Sequence, residues 1–425
     1  MSNKTNNETI NETINPETIK GIYETLMSHS AVQEALSFLK DEDENTLRDQ
    51  IELTEIPAPT FQETERGKYF EQRLQNLGLE NVHTDEAGNV FGTRPGTGNG
   101  PKLIVSAHLD TVFPADTDIK VKKEDGKIYA PGIADDGRGL AVVLSLAKVF
   151  KEHDIKLEGD IIFTATVGEE GLGDLYGVKQ IFNSRNDIDG FISVEPGSPS
   201  RLIYLATGSR RYSITYKGPG GHSYGNFGVP SALHAMGRAI GKISEMETPE
   251  DPKTTFNVGT AAGGTSVNTI AAEANMVIDM RSTDPEELNL LEERVLNIVK
   301  EAAASENKRW NSDGITVDIK KVGDRPAGSQ PKVSPIVQAA YTATKTLGLK
   351  PELGAPVSTD SNVPISLGIP AVTLGGGGSF SGAHTLNEYF DPTDAFYGPQ
   401  QIFLTVLGLA GVAKITEPLL EKRNK

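Results

Sequence analysis

Cysteine is absent from all 425 residues, which excludes disulfides, thiolate catalysis and any zinc or iron–sulfur site built on sulfur ligands. A bound metal would therefore have to be held by histidine, aspartate and glutamate. Histidine is itself scarce, at seven residues, and tryptophan occurs once. Basic residues are outnumbered 41 to 58, for a net charge of −17 at pH 7. No basic run offsets that balance, which argues against nucleic acid and anionic membranes as partners. No apolar run reaches the ~20 residues needed to span a bilayer. The polar opening "MSNKTNNETINETINPETIK" lacks the basic and apolar regions of a secretory signal. A soluble, cytoplasmic protein with a small-molecule or peptide substrate is expected.

What is present is ordinary globular material, 37% hydrophobic and 23% charged. The length exceeds one common domain, so two or three are expected. Residues 1–20 read as a polar tail. Amphipathic helix is expected over about 31–55 and again in "TERGKYFEQRLQNLGL". Apolar strands and helices then alternate: "PKLIVSAHLD", the helix "DDGRGLAVVLSLAKVFKEH", "GDIIFTATVGEEG", the helix "GVKQIFNS" and "DGFISVEP". Continuously apolar strands alternating with helices predict an α/β domain whose mixed, mostly parallel sheet is flanked by helices.

The texture changes over 209–324, where a β-α-β-β-α-β order predicts an α+β split βαβ (ferredoxin-like) domain. The α/β pattern resumes with "SPIVQAAYTATKTLGL", "IPAVTL" and a helix after Pro399. The chain thus reads as a discontinuous domain, 21–208 and 325–425, interrupted by an insertion at 209–324.

Polar groups gather at the C-terminal ends of the predicted parallel strands, where open α/β sheets bind ligands. His108 and Asp110 end one strand; Glu169 and Glu170 follow another; Glu195 follows a third. Asp135 and Asp136 open a helix, and His384 lies in the loop "GGGGSFSGAHT". Singly, Asp135 or Asp136 reads as a helix cap, the paired glutamates as a solvated loop, and either histidine as a surface group. Five such coincidences at one sheet edge point instead to a metal site. His29, His83, His153 and His234 lack that context and read as structural or exposed. The glycine runs match neither G-x-G-x-x-G nor G-x-x-x-x-G-K-[ST], which disfavours a nucleotide-binding enzyme. Gly375–Gly378 read as a loop whose backbone amides approach the substrate.

"SAHLDTV", "GIADD", "VGEEG", "SVEP" and "GAHT" occur in the order of, and resemble, the motifs of the M20 family of co-catalytic zinc metallopeptidases, which includes carboxypeptidase G2 and peptidase T. The resemblance runs from about residue 45 to the last helix. It implies a zinc-exopeptidase fold with a dimerisation or lid domain in the insertion. It further implies two Zn2+ per subunit, with Co2+ or Mn2+ as alternatives. His108 and Glu195 would bind one ion, Glu170 and His384 the other, and Asp135 would bridge them. Asp110 would orient the His108 ring, Asp136 would cap or support, and Glu169 would be the general base acting on a water shared by the ions.

In the insertion, the resemblance makes His222, Asn268 and Arg281 substrate-binding residues, with His222 reaching from a partner subunit of a homodimer. The implied reaction is hydrolysis of the terminal peptide bond of short peptides. An N-acyl amino acid amidohydrolase is the alternative, and a non-catalytic metal-binding scaffold the distant one. Glu at "SVEP" points to carboxypeptidases and deacylases, whereas "GSRRYSITYKGPGGHS" looks peptidase T-like. Where the family pattern has Lys after the paired aspartates, this chain has Gly137 and Arg138.

Overall fold

The computed structural model describes residues 15–98 and 100–423. The chain divides into two compact units. The first runs to Tyr204 and resumes over Gln330–Ala355 and Thr359–Lys425; the second comprises Leu205–Ser329 with Pro356–Ser358. The dividing points differ by a few residues from 208 and 325, because the strands nearest the junction, Gly208–Lys217 and Thr316–Arg325, begin and end inside the second unit.

Among the described residues of the first unit, eight strands form one sheet. Its order is Glu80–Thr84, Val90–Arg94, Asp160–Thr166, Lys102–His108, Gly190–Glu195, Ala371–Gly375, Arg201–Ile203 and Glu352–Leu353. The four central strands, Asp160–Thr166 to Ala371–Gly375, are mutually parallel. Their residues are buried on both pleat faces: Leu103, Val105 and Ala107 face one way, Ile104 and Ser106 the other. The apolar helices Gly137–Glu152 and Tyr397–Ala410 supply much of that cover. Parallel alignment is what sends His108, Thr166, Glu195 and Gly375 to the same edge of the sheet.

Two expectations need correction here. Residues 1–14 of the expected tail lie outside the described residues, but Pro16–Ser28 is helix, and it buries Ile19, Tyr23 and Leu26. Asn15 accepts a hydrogen bond from the Glu17 amide and caps it, Pro16 presets the first turn, and the Tyr23 hydroxyl donates to the Ala339 carbonyl at 2.8 Å. The helix expected over 31–55 is instead two, Ser30–Asp41 and Asp43–Thr54, broken at Glu42, whose carboxylate pairs with Lys148.

The second unit is a four-stranded antiparallel sheet ordered Thr254–Gly263, Glu273–Ser282, Gly208–Lys217 and Thr316–Arg325. Tyr212, Ile214 and Tyr216 alternate with polar residues, Met276, Ile278 and Met280 alternate with the less buried Val277 and Asp279, and the buried set packs with helices Ala232–Ser244 and Pro285–Arg309. Asp284 caps the longer helix by accepting from the Glu286 and Glu287 amides. No helix among the described residues is long and apolar enough to cross a membrane.

Candidate metal centre

His108 ends its strand fully enclosed. Its Nδ1 lies 2.9 Å from the Asp110 carbonyl oxygen and its Nε2 lies 3.0 Å from Asp135 Oδ1. The other Asp135 oxygen, Oδ2, lies 3.2 Å from Nε2 of His384, and Glu170 Oε1 lies 2.8 Å from the same nitrogen. The Asp135 carboxylate therefore stands between two imidazoles, one oxygen turned to each. Ligand atoms of His108, Asp135 and Glu170 lie within 4.8 Å of one another, as do those of His108, Asp136 and Glu195.

The electrostatics follow from this crowding of anions. Burial pushes Glu195 and Asp136 well above the usual carboxylate range, reinforced by their acidic neighbours. Burial opposes charge on His108 too, yet the Asp110 and Asp135 carboxylates hold it well above the usual imidazole range. Hydrogen bonds to Asp135 and Glu170 push His384 up to about 10. Asp135, despite burial, is held well below the usual range by the two histidines. Nitrogen atoms turned only towards acceptors, among buried carboxylates, make a pocket that demands positive charge, and this nitrogen and oxygen donor set fits divalent cations.

Backbone bonds fix the supporting residues. The Asp136 oxygens accept from the Gly139 amide at 3.0 Å and the His108 amide at 3.1 Å, so Asp136 caps helix Gly137–Glu152. Asp110 meets the His108 ring twice, its backbone carbonyl lying 2.9 Å from Nδ1 and its carboxylate Oδ1 3.6 Å from the same nitrogen, within ion-pair reach, and the carboxylate has a further task. The carboxylate accepts from the Glu169 amide at 2.9 Å, the Glu170 amide at 3.0 Å and the Thr60 hydroxyl at 2.9 Å. An anion on these amides fixes the turn carrying both glutamates; Glu169 and Glu170 are buried.

Gly137 and Arg138 have a local explanation. A Cβ on Gly137 would lie 2.4 Å from the Thr54 hydroxyl and 2.9 Å from the Gly132 carbonyl oxygen. Arg138 is buried, donating from Nε to the Gly376 carbonyl at 2.8 Å and from Nη2 to the Ala395 carbonyl at 2.9 Å. The glycine loop is likewise a packing device. A Cβ on Gly375 would meet the Gly197 and Ser198 carbonyls at 2.4 Å, and one on Gly377 the Ala395 carbonyl at 2.1 Å. The amides of Gly376 and Gly377 donate to the Glu195 and Gly197 carbonyls, so they are not turned to substrate as expected.

Sequence reasoning missed Glu63, Arg66 and Glu388. Glu63 accepts from the Phe61 and Gly168 amides, and Arg66 donates to the carbonyls of Ile56, Leu109 and Thr54. Glu388 accepts from the amides of Gly132, Ala134 and Asp135. Each binds backbone, which leaves no side-chain spacing to read.

His222, Asn268 and Arg281 all lie in the second unit. His222 Nδ1 accepts from the Tyr224 and Gly225 amides, and the Ser223 amide donates to the Asn268 carbonyl, so these two candidates are neighbours. Arg281 is paired through its Nε with Asp279, which also takes Arg211.

Residues 104–407 match the model of peptidase family M20/M25/M40. The uncharacterized protein YqjE of Bacillus subtilis is 28% identical over 361 residues, covering 80% of this chain and 92% of that protein. Carboxypeptidase G2 of a Pseudomonas species is 28% identical over 337 residues, 72% of this chain and 76% of that one. Among solved structures, a tripeptidase from Staphylococcus aureus superposes with a TM-score of 0.71 at 26% identity, covering 86% of this chain and 97% of that chain. With the family model spanning most of the chain and the acid–histidine cluster inside that span, this protein belongs to peptidase family M20/M25/M40 and is a metal-dependent hydrolase.

Proposed function

We propose that the protein is a two-metal exopeptidase that hydrolyses the terminal peptide bond of short peptides. The observation that carries the reading is the Asp135 carboxylate, with one oxygen 3.0 Å from His108 and the other 3.2 Å from His384. His108 and Glu195 would hold one ion, Glu170 and His384 the other, with Asp135 shared. Zinc is the first choice, and cobalt or manganese suits the same donors. When bound, such ions polarise the scissile carbonyl and acidify water.

The chain's own residues supply the rest. Glu169 takes the proton of the attacking water and returns it to the leaving nitrogen, a role worth typically 10²- to 10⁴-fold in rate. Asp110 keeps Glu169 beside Glu170 by holding both amides. His222, Asn268 and Arg281 would bind substrate, Arg281 through its guanidinium on a carboxylate. Tyr224, Phe227 and Val267, exposed on the second unit, support a homodimer formed through it. Likeness to a tripeptidase and to carboxypeptidase G2 favours peptides as substrates.

The test is a panel of tripeptides blocked at either end, unblocked tripeptides, and N-acyl amino acids, each with zinc, cobalt or manganese. Cleavage of unblocked peptides from one end, lost on chelation, is the expected outcome. Turnover confined to N-acyl amino acids would replace the reading with a deacylase.

A further inference from the structure

We infer that Glu388 is a positioning residue that locks the Asp135 turn to the His384 loop and so sets the geometry of the metal centre. The inference rests on the two-metal reading above.

The two segments are joined step by step. Strand Tyr389–Asp391 pairs with Lys127–Tyr129 through Tyr389 to Tyr129 and Phe390 to Ile128. The pairing continues where the Ala130 amide donates to the Glu388 carbonyl at 3.2 Å. The Glu388 side chain, with no solvent exposure, then reaches over the turn that follows. Its Oε2 accepts from the Gly132 amide at 2.9 Å; its Oε1 accepts from the Ala134 amide at 2.9 Å and the Asp135 amide at 3.0 Å. Four residues upstream, His384 has a left-handed backbone with φ of 63°. A single carboxylate thus holds the backbone of the residue whose side chain lies between the histidines, and it does so from the loop that supplies one of them.

Among the described residues no other acceptor is bonded to those three amides, and buried donors without acceptors are costly. A carboxylate accepts at both oxygens. An amide of the same shape accepts at one and turns an NH2 group towards the other donors, so Glu388→Gln must lose either the Gly132 bond or the Ala134 and Asp135 pair. Displacing the Asp135 backbone moves a carboxylate that both candidate ion positions share.

The experiment measures affinity of the metal-stripped protein for zinc alone and cobalt alone, by competition with a chelator, at a temperature where circular dichroism shows each variant folded. Wild type, Glu388→Gln and Tyr23→Phe are compared; Tyr23→Phe removes a buried hydrogen bond distant in the fold and serves as a control for general destabilisation. Residues supporting metal ligands typically contribute about 10- to 100-fold in affinity, and that loss is expected for Glu388→Gln, with an altered cobalt spectrum and kcat reduced more than KM is raised. Tyr23→Phe should match wild type. Affinity of Glu388→Gln within about twofold of wild type would overturn the inference while leaving the two-metal reading intact. A wild-type protein that binds neither ion would overturn both.

Discussion

Asp110→Asn separates two ways in which a buried aspartate can serve this centre. The carboxylate has no solvent exposure and accepts the Glu169 amide at Oδ1 and the Glu170 amide at Oδ2, with the Thr60 hydroxyl on Oδ2 as well. Asparagine has the same shape but one acceptor oxygen. Whichever way its amide is turned, one of the two glutamate amides meets an NH2 group and is left unpaired. A buried donor without an acceptor costs ~1–3 kcal/mol. If that cost is relieved by movement of the turn carrying Glu169, each 1.36 kcal/mol is tenfold in rate, so kcat should fall about 5- to 150-fold. Because the His108 ring donates to the Asp110 carbonyl, which the substitution keeps, zinc affinity at the His108 side should fall much less than kcat. The assay is kcat on a cleaved tripeptide beside a chelator-competition measurement on the same preparation. Wild-type kcat, or a metal loss that accounts for the whole rate loss, would refute the assignment of this carboxylate to the glutamate turn.

Glu169→Ala should keep its metal and lose about 10²- to 10⁴-fold in turnover, the range for a general base; metal analysis and rate measurement on one sample check it, and equal turnover rules the assignment out. His384→Ala should lower the metal bound per chain while His108 and Asp135 still hold an ion; undiminished metal content would contradict its role as ligand. Gly137→Ala places a methyl group against the Thr54 hydroxyl and the Gly132 carbonyl. Overpacking of that kind costs about 1–3 kcal/mol, so a lowered melting temperature is expected, and an unchanged one would show that the turn has room.

The candidate metal centre was legible because two of only seven histidines, at a strand end and in a late loop, occur with acids that follow strands or open a helix. Alternating apolar strands and helices implied parallel alignment, and parallel alignment alone brings His108, Glu169, Glu170 and Glu195 to one edge. What was not legible is whatever acts through the backbone. Asp110 was read as a partner of the ring two residues away, since side-chain spacing is visible in a strand; its hold on amides across the sheet edge is not. Glu388 accepts from amides more than 250 residues away in the chain. The glycines of the 375–378 loop were read as open backbone because glycine permits close approach, but the approach is to other protein carbonyls. Helix Pro16–Ser28 was hidden by the polar repeat before it, although Ile19, Tyr23 and Leu26 have helical spacing.

The central claim is that Asp135 sits between two metal positions, and metal stoichiometry tests it most directly. Purified protein, stripped by chelation and dialysed against zinc, should bind two ions per chain, and Asp135→Ala should lose affinity at both positions together. One ion per chain in the wild type, or Asp135→Ala still binding two with unchanged affinity, would contradict it.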